Sequence, residues 1–323
     1  MRVSSRLSVR LAAAAAILVA GALVLSGCAP KADQSTRVTP TKEHLFADLH
    51  DYPSTTVVKN LTYDTVDGTS EQLNICLPHQ KAGATVPARP AIVVVHGGSW
   101  AHGDKDDPNW LDVCEWIAYS GFVAAEVNYG LAPVHTYPTA IHEIQHAVEW
   151  LRKPAQDKRF SIDPTLIGAF GGSAGGNLAS LLGTSGSGST TTGDRVAAVA
   201  ELSGPSNLTG SGAELTDFYP YVLSYLNCTK FDDCPHAVDA SPLYNVDKTD
   251  PPFFIAHSLD ERIPLVQSTA FVKKLRAAGV DVTFVTVKGH EHSIAMLDLK
   301  MRNRIAAYFR AKLVHNPLNV LGQ

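Results

Sequence analysis

Residues 166–179 read LIGAFGGSAGGNLA and contain the pattern G-x-S-x-G centred on Ser173. The apolar run LIGAF precedes the pattern, and the helix-like run NLASLLG follows it. A serine at a sharp turn between a strand and a helix is held in a strained conformation with its hydroxyl exposed, and small flanking residues let the chain pack closely around it. The context therefore predicts Ser173 as a nucleophile rather than as a loop residue.

On both sides of this motif, from Pro90 onward, continuous apolar runs alternate with helical stretches. The strand-like runs include AIVVV, FVAAEV, VAAVAEL, FFIAHS and VDVTFVTV, and runs of this kind are typical of parallel strands covered on both faces. Two earlier β-like runs, VVKNLTYDTV and EQLNICLP, flank the hairpin signal Asp67-Gly68. We therefore predict the α/β class and the α/β-hydrolase fold, a mostly parallel central sheet with an antiparallel N-terminal hairpin and helices on both faces.

A serine nucleophile needs a base and a group that orients the base. Asp260 follows the run FFIAHSL and His292 follows VDVTFVTVKG, which gives the chain order Ser, Asp, His of this fold. Glu261 is the alternative to Asp260 as the acid, and His290 is the alternative to His292 as the base. The spacing in HSLDERIP favours Asp260 as the acid, and the segment GHEHSI favours His292 as the base.

The run AIVVV leads directly into the segment His96–Trp100, HGGSW. A glycine-rich loop can bring backbone N–H groups close to the substrate, where they stabilise a developing oxyanion. We predict that the N–H groups of Gly98, Ser99 and Ala174 form this oxyanion hole.

A second motif points to different chemistry, since His142–His146 reads H-E-x-x-H on a predicted helix. This is the signature of zinc proteases. The apolar residues of the helix form one stripe that would pack on the sheet, and no further metal-ligand motif follows. We therefore expect solvent-facing histidines and no metal site.

The 323-residue chain has 45% hydrophobic and 18% charged residues, enough apolar material for one large core. Its formal net charge is −4, and its body contains no basic block that could neutralise phosphates. We therefore do not expect this protein to bind nucleic acid.

The N-terminus has the character of an export signal, because three arginines precede the apolar run LAAAAAILVAGALVL. That run ends in Leu25-Ser26-Gly27-Cys28, which resembles a bacterial lipobox with Cys28 as the lipidated residue. An uncleaved membrane anchor is the alternative. The expected organisation is a signal peptide at 1–27, a flexible tether at 28–52 and a catalytic domain at 53–323, lipid-anchored in the extracytoplasmic cell envelope.

Four further cysteines fit an oxidising compartment. Cys228 and Cys234 lie six positions apart and predict a short disulfide, whereas Cys76 and Cys114 could pair or remain buried thiols. The first pair lies in a predicted lid-like insertion, residues 207–244. Its aromatic residues could form a small core or the wall of an acyl pocket: Phe218, Tyr219, Tyr221, Tyr225 and Tyr244.

Several segments together resemble the hormone-sensitive-lipase-like and feruloyl-esterase-like (BD-FAE-type, kynurenine-formamidase-like) branch of the α/β hydrolases. They are HGGSWAHGDK, VNYGLAP, YPTAIHEIQHAVEWL, GGSAGGNLA, ASPLYNV, HSLDERIP and KGHEHS, and they cover about Pro90 to Ser293. Gly130 departs from the arginine that relatives often carry, and Ser99-Trp100 replaces a third glycine.

The resemblance implies a serine carboxylesterase with Ser173, Asp260 and His292 as its triad, without a cofactor. Its expected substrates are small-molecule or lipid esters of small to medium acyl chains. An acyltransferase acting on envelope glycan or lipid would use the same residues. A non-catalytic binding lipoprotein on the same scaffold is the third reading.

Overall fold

The computed structural model describes residues 36–38, 52 and 54–314, apart from residues 67, 81, 82, 84 and 212–215. Cys28 and the apolar N-terminal run lie outside these residues, so the predictions made for them stay predictions. Within the described part of the chain, no helix has both the length and the apolar character needed to cross a membrane.

A nine-stranded sheet forms the centre of the fold, in the order β1-β9-β8-β7-β6-β4-β5-β3-β2. Only the pairs β2–β3 and β3–β5 are antiparallel, which confirms the predicted hairpin at one edge of a mostly parallel sheet. The strands are β1 Thr36–Val38, β2 Thr56–Val66, β3 Thr69–Leu77, β4 Arg89–Val95, β5 Val123–Val127, β6 Ile162–Gly172, β7 Ala198–Leu202, β8 Phe253–Ser258 and β9 Val282–Val287.

Helices cover both faces of the sheet. They are α1 Pro108–Tyr119, α2 Thr139–Leu151, α3 Pro154–Phe160, α4 Ala174–Thr184, α5 Tyr219–Tyr225, α6 His236–Asp239, α7 Pro242–Asn245, α8 Val266–Ala277 and α9 Leu299–Leu313. Three short 3₁₀ turns lie at Thr216–Phe218, Phe231–Asp233 and Ser293–Met296.

Strand β4 shows why its sequence is apolar throughout. Val93 and Val95 belong to the hydrophobic core under α2, α4 and α8, whereas Ile92 and Val94 belong to the core under α1 and α9. Successive side chains of a strand point to opposite faces, so a strand covered on both sides needs apolar residues at every position.

Two local features differ from the sequence-based expectation. Thr36–Val38, inside the predicted tether, forms a short edge strand parallel to β9. The sequence after GHEHS predicts a last helix from about Ser293 to Val314. In the structure a 3₁₀ turn occupies Ser293–Met296 and the helix begins at Leu299, where the Asp298 side chain accepts the N–H of Met301 at 2.7 Å. This N-cap satisfies a backbone donor that the first turn of a helix leaves open.

Both cysteine pairs are disulfides in the structure. Cys228 and Cys234 are linked with their Cα atoms 5.4 Å apart. Cys76 on β3 is linked to Cys114 on α1, and both residues are fully buried. The second bond therefore ties α1 to the antiparallel side of the sheet.

The segment between β7 and β8 contains α5, α6, α7 and two of the 3₁₀ turns. Its aromatic residues serve both of the roles that the sequence left open. Tyr225 is 1% exposed and packs in the main core, whereas Phe218 lines the pocket beside Ser173. Tyr221 and Tyr244 remain largely exposed.

Candidate active site

Ser173 lies in the turn between β6 and α4, with φ 57° and ψ −124°. Its N–H donates to the carbonyl of Leu202 on β7 at 2.8 Å, and its carbonyl accepts the N–H of Asn177 at 3.0 Å. A non-glycine residue with positive φ is strained, and such strain persists only where the surrounding structure fixes it. Ser173 is therefore fixed at the carboxyl edge of the sheet, where α/β proteins bind their ligands.

Two glycines allow this turn to form. A Cβ atom on Gly171 would lie 2.2 Å from the carbonyl oxygen of Gly175, and a Cβ atom on Gly175 would lie 2.1 Å from the carbonyl oxygen of Val95. Both distances are far below van der Waals contact, so only glycine lets the turn pack against its own helix and against β4.

His292 lies in the loop after β9 and is brought to the serine turn by close chain contact. A Cβ atom on Gly172 would lie only 2.1 Å from Oγ of Ser293, so the segments that carry Ser173 and His292 touch. Nδ1 of His292 contacts the carboxylate of Glu261. Because Nδ1 is occupied, Nε2 is the ring nitrogen left to take a proton from a serine.

The prediction of Asp260 as the partner of His292 is wrong in this structure, because the adjacent Glu261 occupies that position. The Glu261 side chain is 0% exposed and ion-paired with His292, whereas the Asp260 side chain is 79% exposed. Asp260 instead meets the exposed His290, whose Nδ1 lies 2.7 Å from the Asp260 carbonyl and 3.4 Å from its carboxylate. In the turn after β8, the Asp260 side chain is therefore exposed to solvent, whereas the adjacent Glu261 side chain is buried against the histidine.

The predicted oxyanion residues divide into two groups. Ser99 and Ala174 line the same pocket as Ser173, whereas Gly98 is not among its lining residues. Ala174 is the first residue of α4, so its N–H has no acceptor within the helix and is open to a ligand. Gly98 has a φ of 131°, and a Cβ atom there would lie 2.0 Å from the carbonyl oxygen of His102, so this loop requires glycine. The N–H of Gly98 as an oxyanion donor stays a prediction.

Four further residues line this pocket: Trp100, Pro205, Phe218 and Ile263. Phe218 was among the aromatic residues that the sequence offered as a possible pocket wall, whereas the other three were missed as site residues. Trp100 is held on both sides, since its Nε1 donates to Oδ1 of Asn177 at 3.2 Å and its ring stacks on Tyr225 at 5.0 Å. Its position directly after the HGGS segment is the one signal that could have identified it.

The H-E-x-x-H motif lies on α2, and its glutamate faces inward. Glu143 is 1% exposed and accepts the N–H of Gly130 at 2.5 Å, and burial raises the pKa of its carboxyl to about 7. His142 is exposed, and His146 pairs with Asp64 on β2. Among the residues that the structure describes, no three His, Cys, Asp or Glu side chains are grouped so that they could hold a metal ion.

A mostly parallel sheet, a serine at the strand-to-helix turn and a buried carboxylate–histidine pair define an α/β hydrolase. Within that class, the chain belongs to the BD-FAE family, whose model matches residues 73–275. The family expected from the sequence segments is therefore confirmed.

Curated relatives include two proteins of Mycobacterium tuberculosis. The esterase LipC is 30% identical over 227 residues, covering 66% of this chain and 55% of the relative. The esterase LipQ is 28% identical over 226 residues, covering 68% and 53%. The chain thus spans about half the length of these relatives.

Solved structures show the same fold. A truncated carbohydrate esterase from gut microbiota superposes with a TM-score of 0.68 at 22% identity, covering 80% of this chain and 96% of the other. A thermophilic esterase from Thermogutta terrifontis superposes with a TM-score of 0.65 at 23% identity, covering 84% and 96%.

Proposed function

We propose that this protein is a carboxylic ester hydrolase that works through an acyl-enzyme on Ser173. The observation that carries the proposal is the ion pair of the buried Glu261 carboxylate with His292 next to the strained serine turn. Membership of the BD-FAE family and the names of the LipC and LipQ relatives support the same activity.

The geometry gives each group one task. Oγ of Ser173 attacks the ester carbonyl carbon while Nε2 of His292 takes the hydroxyl proton, and Glu261 stabilises the imidazolium that forms. The carbonyl oxygen becomes an oxyanion, to which the N–H groups of Ser99 and Ala174 donate hydrogen bonds. One such donor stabilises the transition state by about 2.7–4 kcal/mol. The C–O bond to the alcohol then breaks, and His292 returns the proton to the departing oxygen.

Deacylation uses the same residues in the second half of the cycle. Water attacks the acyl carbon, gives its proton to His292 and forms a second tetrahedral intermediate. The bond to Ser173 breaks, the serine oxygen recovers the proton, and the carboxylic acid leaves.

We propose a preference for short acyl chains, which refines the small-to-medium range expected from the sequence. The pocket beside Ser173 is lined by the apolar side chains of Trp100, Phe218 and Ile263. Phe218 is itself covered by Arg262, whose guanidinium carbon lies 5.7 Å from the ring centre. On this proposal, these side chains limit the length of the acyl chain that fits beside Ser173.

Replacing Phe218 by alanine should shift the preference toward longer acyl chains. Each added methylene that finds an apolar pocket is worth about 1–3 kcal/mol, so the ratio of kcat/KM for octanoate to acetate esters should rise about tenfold or more. The measurement is a series of p-nitrophenyl esters of increasing acyl length. Tyr221→Ala is the matched control, because this aromatic residue is 40% exposed on α5 and should leave the ratio unchanged. An unchanged ratio in Phe218→Ala would show that Phe218 does not limit the acyl site.

The same ester series distinguishes hydrolysis from acyl transfer. The assay is repeated with increasing concentrations of a sugar or glycerol acceptor. Under these conditions a hydrolase releases acid and p-nitrophenol in equal amounts. An acyltransferase would release less acid than p-nitrophenol and would form the new ester. We expect equal release.

We further propose that the protein is lipid-anchored in the cell envelope through Cys28; the support is the lipobox-like quartet that ends at this residue. Cys28→Ser should abolish lipidation and cleavage at this position, since the thiol is the acceptor of the lipid. The measurement is the mass of the N-terminal peptide of membrane-derived protein, with Ser26→Ala as the control that keeps the thiol. An unmodified peptide beginning at Met1 in the unaltered protein would contradict the lipid anchor and favour a membrane-spanning one.

A further inference from the structure

The side chain of Glu261 is fully buried and is surrounded by hydrogen-bond donors. Its Oε2 contacts Nδ1 of His292. Its Oε1 accepts the hydroxyl proton of Ser203 at 2.5 Å and lies 3.2 Å from Nε2 of His257. A buried carboxylate needs such partners, because an unpaired one is expensive to remove from water.

Ser203 joins the loop that carries the acid to the loop that carries the base. Its side chain is fully buried, and its Oγ accepts the N–H of Ser293 at 3.1 Å. A hydroxyl has one proton to donate, and an N–H cannot accept it, so that proton is directed at Glu261. The residue has φ 56°, and its own N–H donates to the carbonyl of Ala256 at 3.0 Å, so its position is fixed from β8 as well.

His257 is the second donor, and its partners fix its tautomer. Nε2 lies 2.8 Å from the carbonyl of Ile263 and 3.2 Å from Glu261, both of which are acceptors, so this nitrogen carries the proton. Nδ1 lies 2.7 Å from Oγ of Ser268 and accepts from that hydroxyl. Burial lowers the pKa of His257 and so favours the neutral ring. The single N–H of the neutral ring, at Nε2, is then shared between the Ile263 carbonyl and Glu261.

We propose that Ser203, supported by His257, is the positioning residue of the catalytic acid. It fixes Oε1 of Glu261 so that Oε2 faces His292, and at the same time it holds the backbone of the histidine loop. A glutamate has one more rotatable bond than an aspartate, and side-chain freedom left in the ground state lowers the fraction of molecules in the reactive geometry. This inference rests on the proposed triad, which Ser203 does not join because it touches neither substrate nor reacting atoms.

The test is a double-mutant cycle between Ser203→Ala and Glu261→Ala, measured with a p-nitrophenyl ester. In the otherwise unaltered protein, Ser203→Ala should lower kcat about 10- to 100-fold and leave KM within about twofold, because substrate binding does not use the acid. In the Glu261→Ala background there is no carboxylate to position, so the same substitution should lower kcat less than about threefold further.

Ser206→Ala is the matched control. This serine lies three residues further along the same segment, is 2% exposed, and donates to the carbonyl of Gln267 at 2.7 Å instead of to a carboxylate. Its kcat should stay within about twofold of the unaltered enzyme. Ser203→Gly is the second variant, since glycine adopts a positive φ without strain and keeps the fold should alanine destabilise it.

Equal losses of kcat in both backgrounds, or a loss expressed in KM, would overturn the proposal, because a merely structural role does not depend on Glu261. The proposed function fails separately. If Ser173→Ala retains hydrolysis, the serine mechanism is wrong. If Ser173→Ala is inactive while Ser203→Ala and Ser203→Gly match the unaltered enzyme, only the role of Ser203 is wrong.

Discussion

Substitution of Ser173 by alanine is expected to lower kcat about 10⁴- to 10⁶-fold, because it removes the hydroxyl that forms the acyl-enzyme in the proposed mechanism. Covalent labelling by a fluorophosphonate should disappear in the same variant, since such reagents react with a serine activated by a base next to an oxyanion hole. The measurements are p-nitrophenyl ester hydrolysis and the mass of the intact protein after labelling.

Ser185→Ala is the control for this experiment. This serine ends the helix that Ser173 begins, and its Oγ donates to the carbonyl of Leu181 at 2.6 Å. It should retain labelling and activity. A chelator should leave the unaltered enzyme active. Activity that survives Ser173→Ala but is lost with a chelator would reject the serine mechanism in favour of a metal bound by His142 and His146.

The layout of the sheet could be predicted from sequence because its physical cause is local. Strands buried on both faces must be apolar at successive positions, as in β4, and Ile92 and Val93 belong to cores on opposite faces. The turn at Ser173 could be predicted for a similar reason, since close packing requires glycine on either side of it. Both patterns can be seen within about ten residues of chain.

Apart from the suggestion of Phe218, the pocket wall could not be predicted, because its residues come together from distant segments. Pro205 and Phe218 follow β7, Ile263 follows β8, and they meet at Ser173 only when the sheet has formed. The pairing of Cys76 with Cys114 is similar, since it depends on where α1 crosses the antiparallel side of the sheet. No periodicity within either segment contains that information.

The identity of the acid was also beyond the sequence. Asp260 and Glu261 are adjacent carboxylates in one turn, so spacing along the chain distinguishes them by a single position. What selects Glu261 is its surroundings: Ser203 at the end of β7 and His257 on β8 supply the donors that make a buried charge tolerable. These residues lie 58 and 4 positions away from the acid, and the more distant one makes the shorter contact.

The second large effect is expected at this acid. Glu261→Gln should lower kcat about 10³- to 10⁴-fold at neutral pH, because an amide cannot stabilise the imidazolium and can hold His292 in the wrong tautomer. Asp260→Asn should stay within about threefold, since that side chain is 79% exposed and meets only His290. The measurement is kcat and KM for one p-nitrophenyl ester in both variants under the same conditions.

Two histidine variants complete this comparison. His292→Ala should lower kcat by several orders of magnitude, whereas His290→Ala should cost about tenfold or less, because its ring is 79% exposed and bonds to the turn instead of the serine. A large loss for Asp260→Asn with a nearly silent Glu261→Gln would return the acid to Asp260 and would mean that the turn after β8 rearranges when substrate binds. Because each amide keeps the size of the side chain that it replaces and removes only its charge, this pair of substitutions shows which of the two adjacent carboxylates His292 depends on.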